Sequence, residues 1–471
     1  MTVPSTDSRP DAPSGDRGAT VPAADPRQVL RLAMRVAIAM LGSGAQTDDV
    51  ETAIDTTGRA YRIDPIQRSV TFSGIAISYD DPTDGHPPTT LLYTVPERVS
   101  DFARLAAASS VVRRIKAGDL DIAGAEGALD ELVRQPPPYG RAISFAAPAV
   151  SAAGSTVVFG GAPLDAIATL AVALVIQPAL SSLDRSELPP FFRTFFGVAA
   201  STLLVALLVA LGLPIVGGLV LTGSLLRFLP GYALVSGFRD LIDQSIISGS
   251  ARLAEALLLG AGAAAGTALA LVAAASFGVH LSLITTGTAE WGATAAGLAA
   301  LFAVGGYAIR LGDPRGAAVG ASFLGAIAWI AVIRMRDAGI DPAVATLVSA
   351  LAIGVVSRTI AVRAQAPAAL WAVPAILPLL PGLQIVEALL SPADAARVVG
   401  LVGAAGTAFL IGAGVASGDI VVTTVRRMRA RVTPAIDVVT SGIEVNVVAP
   451  VDRYVRERAG SVFTSHDRDD G

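Results

Sequence analysis

Apolar residues are spread unevenly along this chain, and their density changes near residue 140. Charged residues over roughly 1–140 are as frequent as in soluble proteins, whereas 141–422 carry few, gathered mostly in short clusters. The second stretch contains ten apolar segments, several close to the shortest length that crosses a bilayer as a helix. They lie at about 142–160, 164–183, 195–212, 214–229, 250–278, 291–309, 316–333, 342–361, 368–390 and 396–422. The pattern predicts a polytopic α-helical membrane protein with about ten transmembrane helices.

The stretch before these segments predicts a small folded domain. Helical periodicity and capping residues indicate helices at about 25–44, 47–60, 100–117 and 121–134. Strand-like runs at about 69–79 and 89–95 are separated by turn-forming residues. We therefore expect a cytoplasmic α+β domain over 27–140, preceded by a disordered tail over 1–26.

Two helix breaks organise the membrane region. Pro230-Gly231 breaks the chain at the end of the fourth apolar segment, before a helical pattern resumes, and Pro381-Gly382 interrupts the ninth segment. Proline removes a backbone donor and glycine permits unusual dihedrals, so a continuous helix is not expected at either place. Interrupted segments at corresponding positions in two halves point to the substrate site of a transporter. Because each half has five segments, an odd number, the second half enters the membrane from the opposite side. This predicts a 5+5 inverted repeat with halves at 141–290 and 291–422. The two breaks would then face each other near the midplane.

The distribution of arginine sets the orientation. With the N-terminus inside, the inner side receives most of the loop arginines, and the outer side receives Arg334, Arg336 and Arg397. The inner set is Arg185, Arg193, Arg239, Arg252, Arg310, Arg315, Arg358 and Arg363, followed by the C-terminal Arg426, Arg427, Arg429 and Arg431. Both termini are therefore predicted to be cytoplasmic, including a polar tail over 423–471.

Composition excludes several other classes of protein. The formal net charge of −4 gives no support to nucleic-acid binding, and the absence of cysteine removes disulfides, thiolate metal sites and cysteine nucleophiles. The three histidines, His86, His280 and His466, are far apart in sequence, and no phosphate-binding glycine loop or nucleophile elbow is present. We expect no metal, no cofactor and no enzymatic activity.

Charged residues near the breaks are the candidates for transport chemistry. Arg239, Asp240 and Asp243 follow the first break directly, and Arg239 and Asp243 are spaced to meet on one helix face. Arg252 and Glu255 form a second spaced pair, which is equally typical of an ordinary cytosolic helix end. Glu387 lies in an apolar segment after the second break, where a carboxylate is a candidate to bind a coupling ion or a substrate ammonium. Three other acidic residues are interpreted as helix caps or interface residues: Asp165, Glu290 and Asp419.

Three motifs together resemble the threonine/serine exporter family. They are Ser43-Gly44-Ala45-Gln46-Thr47-Asp48-Asp49-Val50-Glu51, the stretch from Leu229-Pro230-Gly231 through Arg239-Asp240 to Ser248–Ala256, and Pro378-Leu379-Leu380-Pro381-Gly382. The resemblance covers roughly 27–422 and implies an inner (plasma) membrane exporter with a cytoplasmic N-terminal region and ten transmembrane helices, its two halves fused here. It carries over Gly44, Pro230, Gly231, Arg239, Asp240, Gly249, Arg252, Glu255, Pro381 and Gly382, and Asp48 lies in the first motif. This chain has Asp243-Gln244 where the family pattern leads us to expect Gly-Asp. The resemblance therefore does not carry over a role for a second acidic residue at this place.

The leading hypothesis is a secondary transporter that exports threonine and serine, by antiport with protons or driven by the membrane gradient. Arg239 or exposed amides at the first break would take the carboxylate, and Asp240 or Glu387 the ammonium or a proton. One alternative is a membrane-tethered, hydrolase-like enzyme with a catalytic N-terminal domain. Another is a gated channel or sensor. The sequence leaves the oligomeric state open, a homo-oligomer included.

Overall fold

A computed structural model describes residues 25–80, 88–95, 100–281, 291–391 and 393–440, with side chains to 428. Residues 1–24, His86, Glu290 and 441–471 lie outside the described residues, so the interpretations placed on them remain predictions. The chain from Ile420 onward is a separate compact unit, in which the last helix continues to Thr440. The helix therefore extends past 422, where the polar tail was expected to begin.

The N-terminal region contains four helices and a three-stranded antiparallel sheet in the order β1-β2-β3. Its elements are α1 Pro26–Gly42, α2 Thr47–Ala60, β1 Gln67–Val70, β2 Gly74–Tyr79, β3 Thr89–Thr94, α3 Phe102–Ala117 and α4 Ile122–Arg134. The prediction of one strand over 69–79 is wrong, because the chain turns there and Thr71 N–H donates to the carbonyl of Gly74 at 2.8 Å. Apolar side chains from the helices and the sheet, including Leu30, Ile54, Ile75 and Phe102, are fully buried together.

The other described residues form the membrane region of a polytopic α-helical protein. Seven helices are long and apolar enough to cross a membrane: α6 Pro163–Asp184, α7 Pro190–Ala210, α10 Ile246–Ser276, α11 Ala293–Arg310, α12 Arg315–Asp337, α13 Pro342–Ala364 and α16 Asp394–Thr440. Two bent pairs bring the number of candidate spans in the described residues to nine. They are α8 Gly217–Leu225 with α9 Gly231–Ile242, and α14 Ala369–Ala375 with α15 Gly382–Leu390. The predicted segment at 142–160 corresponds to α5, Arg141–Val158, which is not among the nine.

Small residues allow the membrane helices to pack backbone against backbone. A Cβ on Gly306 of α11 would lie 2.4 Å from the carbonyl oxygen of Ala147 in α5. A Cβ on Gly266 of α10 would lie 2.4 Å from that of Phe195 in α7, and one on Gly354 of α13 equally close to that of Val415 in α16. Without a hydrophobic driving force between helices in lipid, such close approach is what holds a bundle together. The pairs α7–α10 and α13–α16 would occupy equivalent places in the predicted 5+5 repeat.

The N-terminal domain packs against one set of helix ends. Phe102 N–H donates to the carbonyl of Leu311 after α11 at 2.9 Å, and Thr47 Oγ1 donates to Ser248 Oγ near the start of α10 at 3.4 Å. The Arg113 guanidinium donates to the carbonyl of Gln365 after α13. All three contacts involve ends that the arginine distribution assigns to the inner side.

Candidate transport site

The two Pro-Gly breaks lie in contact with each other. Before each proline, the helix tightens into a 3-10 turn, Leu226–Phe228 in the first half and Leu377–Leu379 in the second. The next residue, Leu229 or Leu380, is extended, and a new helix starts at the glycine after a bend of 47° in the first pair and 40° in the second. The two breaks therefore repeat the same backbone path.

The two glycines lie where the backbones of the two breaks approach each other closely. A Cβ on Gly231 would lie 3.0 Å from Leu380 Cβ and 3.2 Å from the backbone nitrogen of Gly382. A Cβ on Gly382 would lie 2.8 Å from Leu229 Cβ and 3.3 Å from the nitrogen of Gly231. The environments of the two glycines are reciprocal, so each break forms the wall against which the other packs.

A cavity opens beside each break. The near cavity, of about 510 Å³, is lined by the first break together with parts of α6, α7, α9, α10 and α11. Its polar and charged lining includes Arg193, Thr194, Arg227, Glu255, Tyr307 and Arg310, and the N-terminal domain adds Phe72, Ser73, Val95 and Ser100. The far cavity, of about 770 Å³, is lined by the second break together with parts of α5, α12, α13, α15 and α16. Its polar and charged lining includes Trp329, Arg336, Asp341, Thr346, Gln384, Glu387 and Thr407.

The cavities face opposite ends of the helices. Arg315, at the start of α12, donates to the carbonyl of Pro138 at the end of the N-terminal domain. Arg336, near the other end of α12, lines the far cavity. Because α12 has 23 residues and a helix rises about 1.5 Å per residue, its two ends are roughly 35 Å apart. The near cavity is thus on the side of the N-terminal domain and the far cavity on the opposite side.

The charged residues that follow the first break form ion pairs with one another and with Asp419 of α16, at the turn between α9 and α10. These residues, here called the turn cluster, are Arg239, Asp240, Asp243, Arg252 and Asp419. Arg252 Nε donates to Asp240 Oδ2 at 2.6 Å, and both side chains are buried, at 8% and 4% exposure. Arg239 pairs with Asp419, and its Nε lies 3.7 Å from Asp243 Oδ2. The pairs tie the last turn of α9 to α10 and α16.

Close packing between α9 and α10 places Arg252 beside Asp240. A Cβ on Gly249 would lie 2.8 Å from the carbonyl oxygen of Gly237, so any larger residue would separate the two helices. The Arg252 guanidinium also lies 5.6 Å from the centre of the Phe72 ring in the N-terminal domain. A cation over an aromatic face is attracted to it, which adds a contact between that domain and the turn cluster.

The N-terminal motif lies next to the turn cluster. Gly44 has a φ of 94° in the turn that links α1 to α2, a conformation that favours glycine. Asp48 is exposed in the first turn of α2, and Asp49 beside it is half-buried. Burial raises the pKa of Asp49 to about 6, against the opposing effect of Arg239 and Arg358. The first turn of α2 therefore places the Asp49 carboxyl close to Arg239 and Arg358.

The structure separates the sequence candidates into distinct groups. Pro230, Gly231, Pro381 and Gly382 form the break contact, while Arg239, Asp240, Asp243 and Arg252 belong to the turn cluster. Glu255 lines the near cavity and Glu387 the far cavity. Asp165 is a cap, because its carboxylate accepts from the backbone nitrogens of Ala162 at 2.9 Å and Val216 at 2.7 Å.

Three residues with unusual surroundings were not selected by sequence reasoning. Asp419, read there as a cap or interface residue, pairs with Arg239, 180 residues earlier in the chain. Trp329 was not considered, although it lines the far cavity. Asp313, between α11 and α12, is fully buried, and neither carboxylate oxygen has a hydrogen-bond partner among the described residues. Burial raises the pKa of Asp313 to about 9.

Comparison with known proteins shows which family the chain is similar to. A family model described as "Putative threonine/serine exporter" matches residues 31–274, more than half of the chain. The chain belongs to the threonine/serine exporter family. A second model, described as "Threonine/Serine exporter, ThrE", matches residues 296–425. The gap between the two family matches falls between α10 and α11, where the two membrane halves were predicted to meet.

Two relatives in the threonine/serine exporter family match nearly the full chain. The "Probable threonine/serine exporter" of Mycobacterium tuberculosis (strain ATCC 25618 / H37Rv) is 30% identical over 422 residues, which cover 86% of this chain and 78% of that protein. The "Threonine/serine exporter" of Corynebacterium glutamicum is 26% identical over 413 residues, covering 85% and 83% respectively. No solved structure matches the chain. Membership of this exporter family favours a transporter over the tethered enzyme and the channel or sensor.

Proposed function

We propose that this chain exports threonine and serine across the inner (plasma) membrane as a secondary transporter. The observation that carries the proposal is the reciprocal contact of the two Pro-Gly breaks, with a cavity on each side of it. Broken helices that meet between two halves supply exposed backbone groups for a small polar solute. The names of both relatives support threonine and serine as the substrates.

The proposed membrane arrangement has ten spans in a 5+5 inverted repeat. α5 would be the first span, because it packs against α6, α8 and α11 in the same bundle as the nine candidates. The first half would be α5–α10, within 141–290, and the second would run from α11 to the part of α16 before residue 423, within 291–422. The domain over 27–140 would be cytoplasmic. Both termini would also be cytoplasmic, as the arginine distribution favours.

Transport would proceed by alternating access to the two cavities. Threonine would enter the near cavity from the cytoplasm, past the N-terminal residues that line it, and leave from the far cavity. Separation of Gly231 from Gly382 would connect the two. The turn cluster would then hold the inner end of α9 in position rather than bind substrate, since Asp240 is already paired with Arg252 inside the protein.

Proton coupling is proposed through Glu387. This carboxylate is half-buried in the far cavity on α15, close to the second break. Carboxylates within membrane segments commonly mark ion or proton pathways. A proton entering from outside would reach Glu387 before the break contact, in the order that antiport with an outgoing amino acid requires.

The test is threonine efflux from cells preloaded with a threonine-containing dipeptide, in a host that lacks its own threonine exporter. We expect the wild-type chain to export threonine faster than the empty host, and an uncoupler to abolish the difference. Efflux equal to the empty host at matched protein level would contradict threonine export. Efflux that persists with the uncoupler would contradict proton coupling alone.

A further inference from the structure

A third cavity lies between the N-terminal domain and the end of α13. This interface cavity, of about 630 Å³, is lined by one face each of α2, α3 and α13 and by the residues that follow α13, with Met40 at the end of α1. It shares no lining residue with the near cavity or the far cavity. The proposed transport path therefore gives it no role, and its lining indicates what it could bind.

Cations outnumber carboxylates in the interface cavity. Its charged lining residues are Arg113 and Lys116 of α3, Arg358 of α13 and Asp49 of α2, and three hydroxyl side chains line it as well. Lys116 is exposed, whereas Arg113 and Arg358 are half-buried. Three cations against one carboxylate favour an anionic ligand, and arginine and lysine together with hydroxyl donors suit the oxygens of a phosphate group.

None of the three cations has a carboxylate within 4.0 Å in the described part of the chain. The Arg113 guanidinium donates to two neutral groups, the carbonyl of Gln365 and the hydroxyl of Ser110. Arg358 donates to no described residue: its Nε is enclosed without a partner, while its two terminal nitrogens remain accessible. Charged groups in membrane segments are normally paired, so an anion from outside the chain would supply the missing partner.

An exposed apolar face of α13 leads to the interface cavity. Val344, Leu351 and Arg358 follow one another at intervals of two helical turns, so they lie on one face, with Val348 between them. The three apolar side chains are exposed. Arg358 is six residues, roughly 9 Å, from the end of α13 at Ala364, on the side of the N-terminal domain. A phospholipid matches this order, with acyl chains against the apolar face and its phosphate in the cavity.

We propose that the interface cavity binds the headgroup phosphate of an anionic phospholipid from the leaflet on the side of the N-terminal domain. The terminal nitrogens of Arg358 and the ammonium of Lys116 donate to the phosphate oxygens. Because Lys116 belongs to α3 and Arg358 to α13, the lipid ties the N-terminal domain to the membrane region, beside the direct bond from Arg113 to Gln365. A soluble phosphate would satisfy the same cations but would make no use of the apolar face. The site does not depend on which solute the chain exports.

The chain has a single lysine, so acylation of Lys116 reports on the interface cavity. The full-length chain in lipid nanodiscs is treated with an amine-reactive reagent, and modified Lys116 is quantified by mass spectrometry. Phosphatidylglycerol added to phosphatidylcholine discs should slow this acylation. In Arg358→Gln, half-maximal protection should need roughly five times more phosphatidylglycerol, because each basic residue near the membrane surface strengthens binding to anionic lipid by about this factor.

Arg363→Gln is the matched control, because Arg363 is an exposed arginine on the same helix that does not line the cavity. Its Lys116 should be protected as in the wild type. Acylation at the wild-type rate in pure phosphatidylcholine discs shows that a variant is folded. Lys116→Gln, at an exposed position, gives an independent readout: in native mass spectrometry it should retain less phosphatidylglycerol than the wild type.

Equal acylation of Lys116 in both kinds of disc would overturn the proposal. Equal shifts in Arg358→Gln and Arg363→Gln would also overturn it, since the charge of the membrane surface would then account for the protection. Inorganic phosphate added to phosphatidylcholine discs tests the other source of the anion. Protection by phosphate without protection by phosphatidylglycerol would assign the cavity to a soluble anion and overturn the lipid.

Discussion

The two halves of the membrane region repeat one backbone device but anchor it differently. Both breaks have a 3-10 turn, an extended leucine, a proline and a helix that starts at glycine. After the first break, α9 ends in the turn cluster, where its charges are paired with α10 and α16. After the second, α15 is shorter and presents Gln384 and Glu387 to an open cavity. The helix after the first break is thus held in place by ion pairs, whereas the helix after the second carries polar groups that line a cavity.

The loops that join the first two helices of each half show the same contrast. The carboxylate of Asp165, at the start of α6, accepts two backbone N–H groups. Asp313, in the corresponding loop before α12, is buried with both oxygens unpartnered among the described residues. The two breaks therefore share one backbone geometry, whereas the side chains around them differ between the halves.

The largest expected effect comes from a side chain placed between the breaks. Gly382→Val puts a Cβ 2.8 Å from Leu229 Cβ, so the two breaks must separate. We expect threonine efflux that no longer responds to an uncoupler, because breaks that cannot close leave a path along which threonine leaks down its own gradient. Gly403→Val is the matched control, since a Cβ there would meet nothing within 4 Å. Wild-type efflux from Gly382→Val, at equal protein level, would show that the contact has no role in transport.

The next largest effect is expected from breaking the buried Asp240–Arg252 ion pair, which joins α9 to α10. Asp240→Ala leaves the buried Arg252 guanidinium without its carboxylate, and breaking a buried pair in this way typically costs about 3–5 kcal/mol. Unfolding in detergent should show a large loss of stability, and replacing both partners together, with Asp240→Leu and Arg252→Met, should recover most of it. Asp243→Ala, at a half-exposed site, is expected to change stability little. Equal effects of the two single alanine variants would contradict the anchoring role of Asp240.

The third prediction concerns the pH dependence produced by the buried carboxyl of Asp313. Because the folded-state pKa of Asp313 is raised to about 9, the folded protein holds a proton that the unfolded chain releases above about pH 4. Stability from this group is therefore full at low pH and declines as pH rises from about 4 to about 9. Asp313→Asn removes the decline, so its Tm should exceed that of the wild type at pH 8, by roughly 2–4 °C for each kcal/mol recovered. A lower Tm than the wild type at pH 8 would mean that ionised Asp313 stabilises the fold.

Local patterns in the sequence predicted the breaks and most of the helices. Pro230 and Pro381 interrupt otherwise apolar segments, and this feature depends only on neighbouring residues. The charge pairing could not be obtained in this way, since Asp419 reaches Arg239 across 180 residues and a single sequence carries no distance information. Arg252 and Glu255 illustrate the limit, because helical spacing suggested a pair while close packing at Gly237 and Gly249 brings Arg252 to Asp240. Trp329 had no local signal at all, since only the tertiary structure places it in a cavity.

The break contact can be tested directly, because the chain contains no cysteine that would interfere. Gly231→Cys together with Leu380→Cys would place two Cβ atoms about 3.0 Å apart, so a small separation is enough to reach disulfide geometry. In proteoliposomes, we predict that mild oxidation cross-links this pair and stops threonine transport, and that a reductant restores it. A pair with the second cysteine at Gly403 should neither cross-link nor respond. Transport at the wild-type rate with the disulfide in place would contradict the claim that the two breaks must part for a solute to pass.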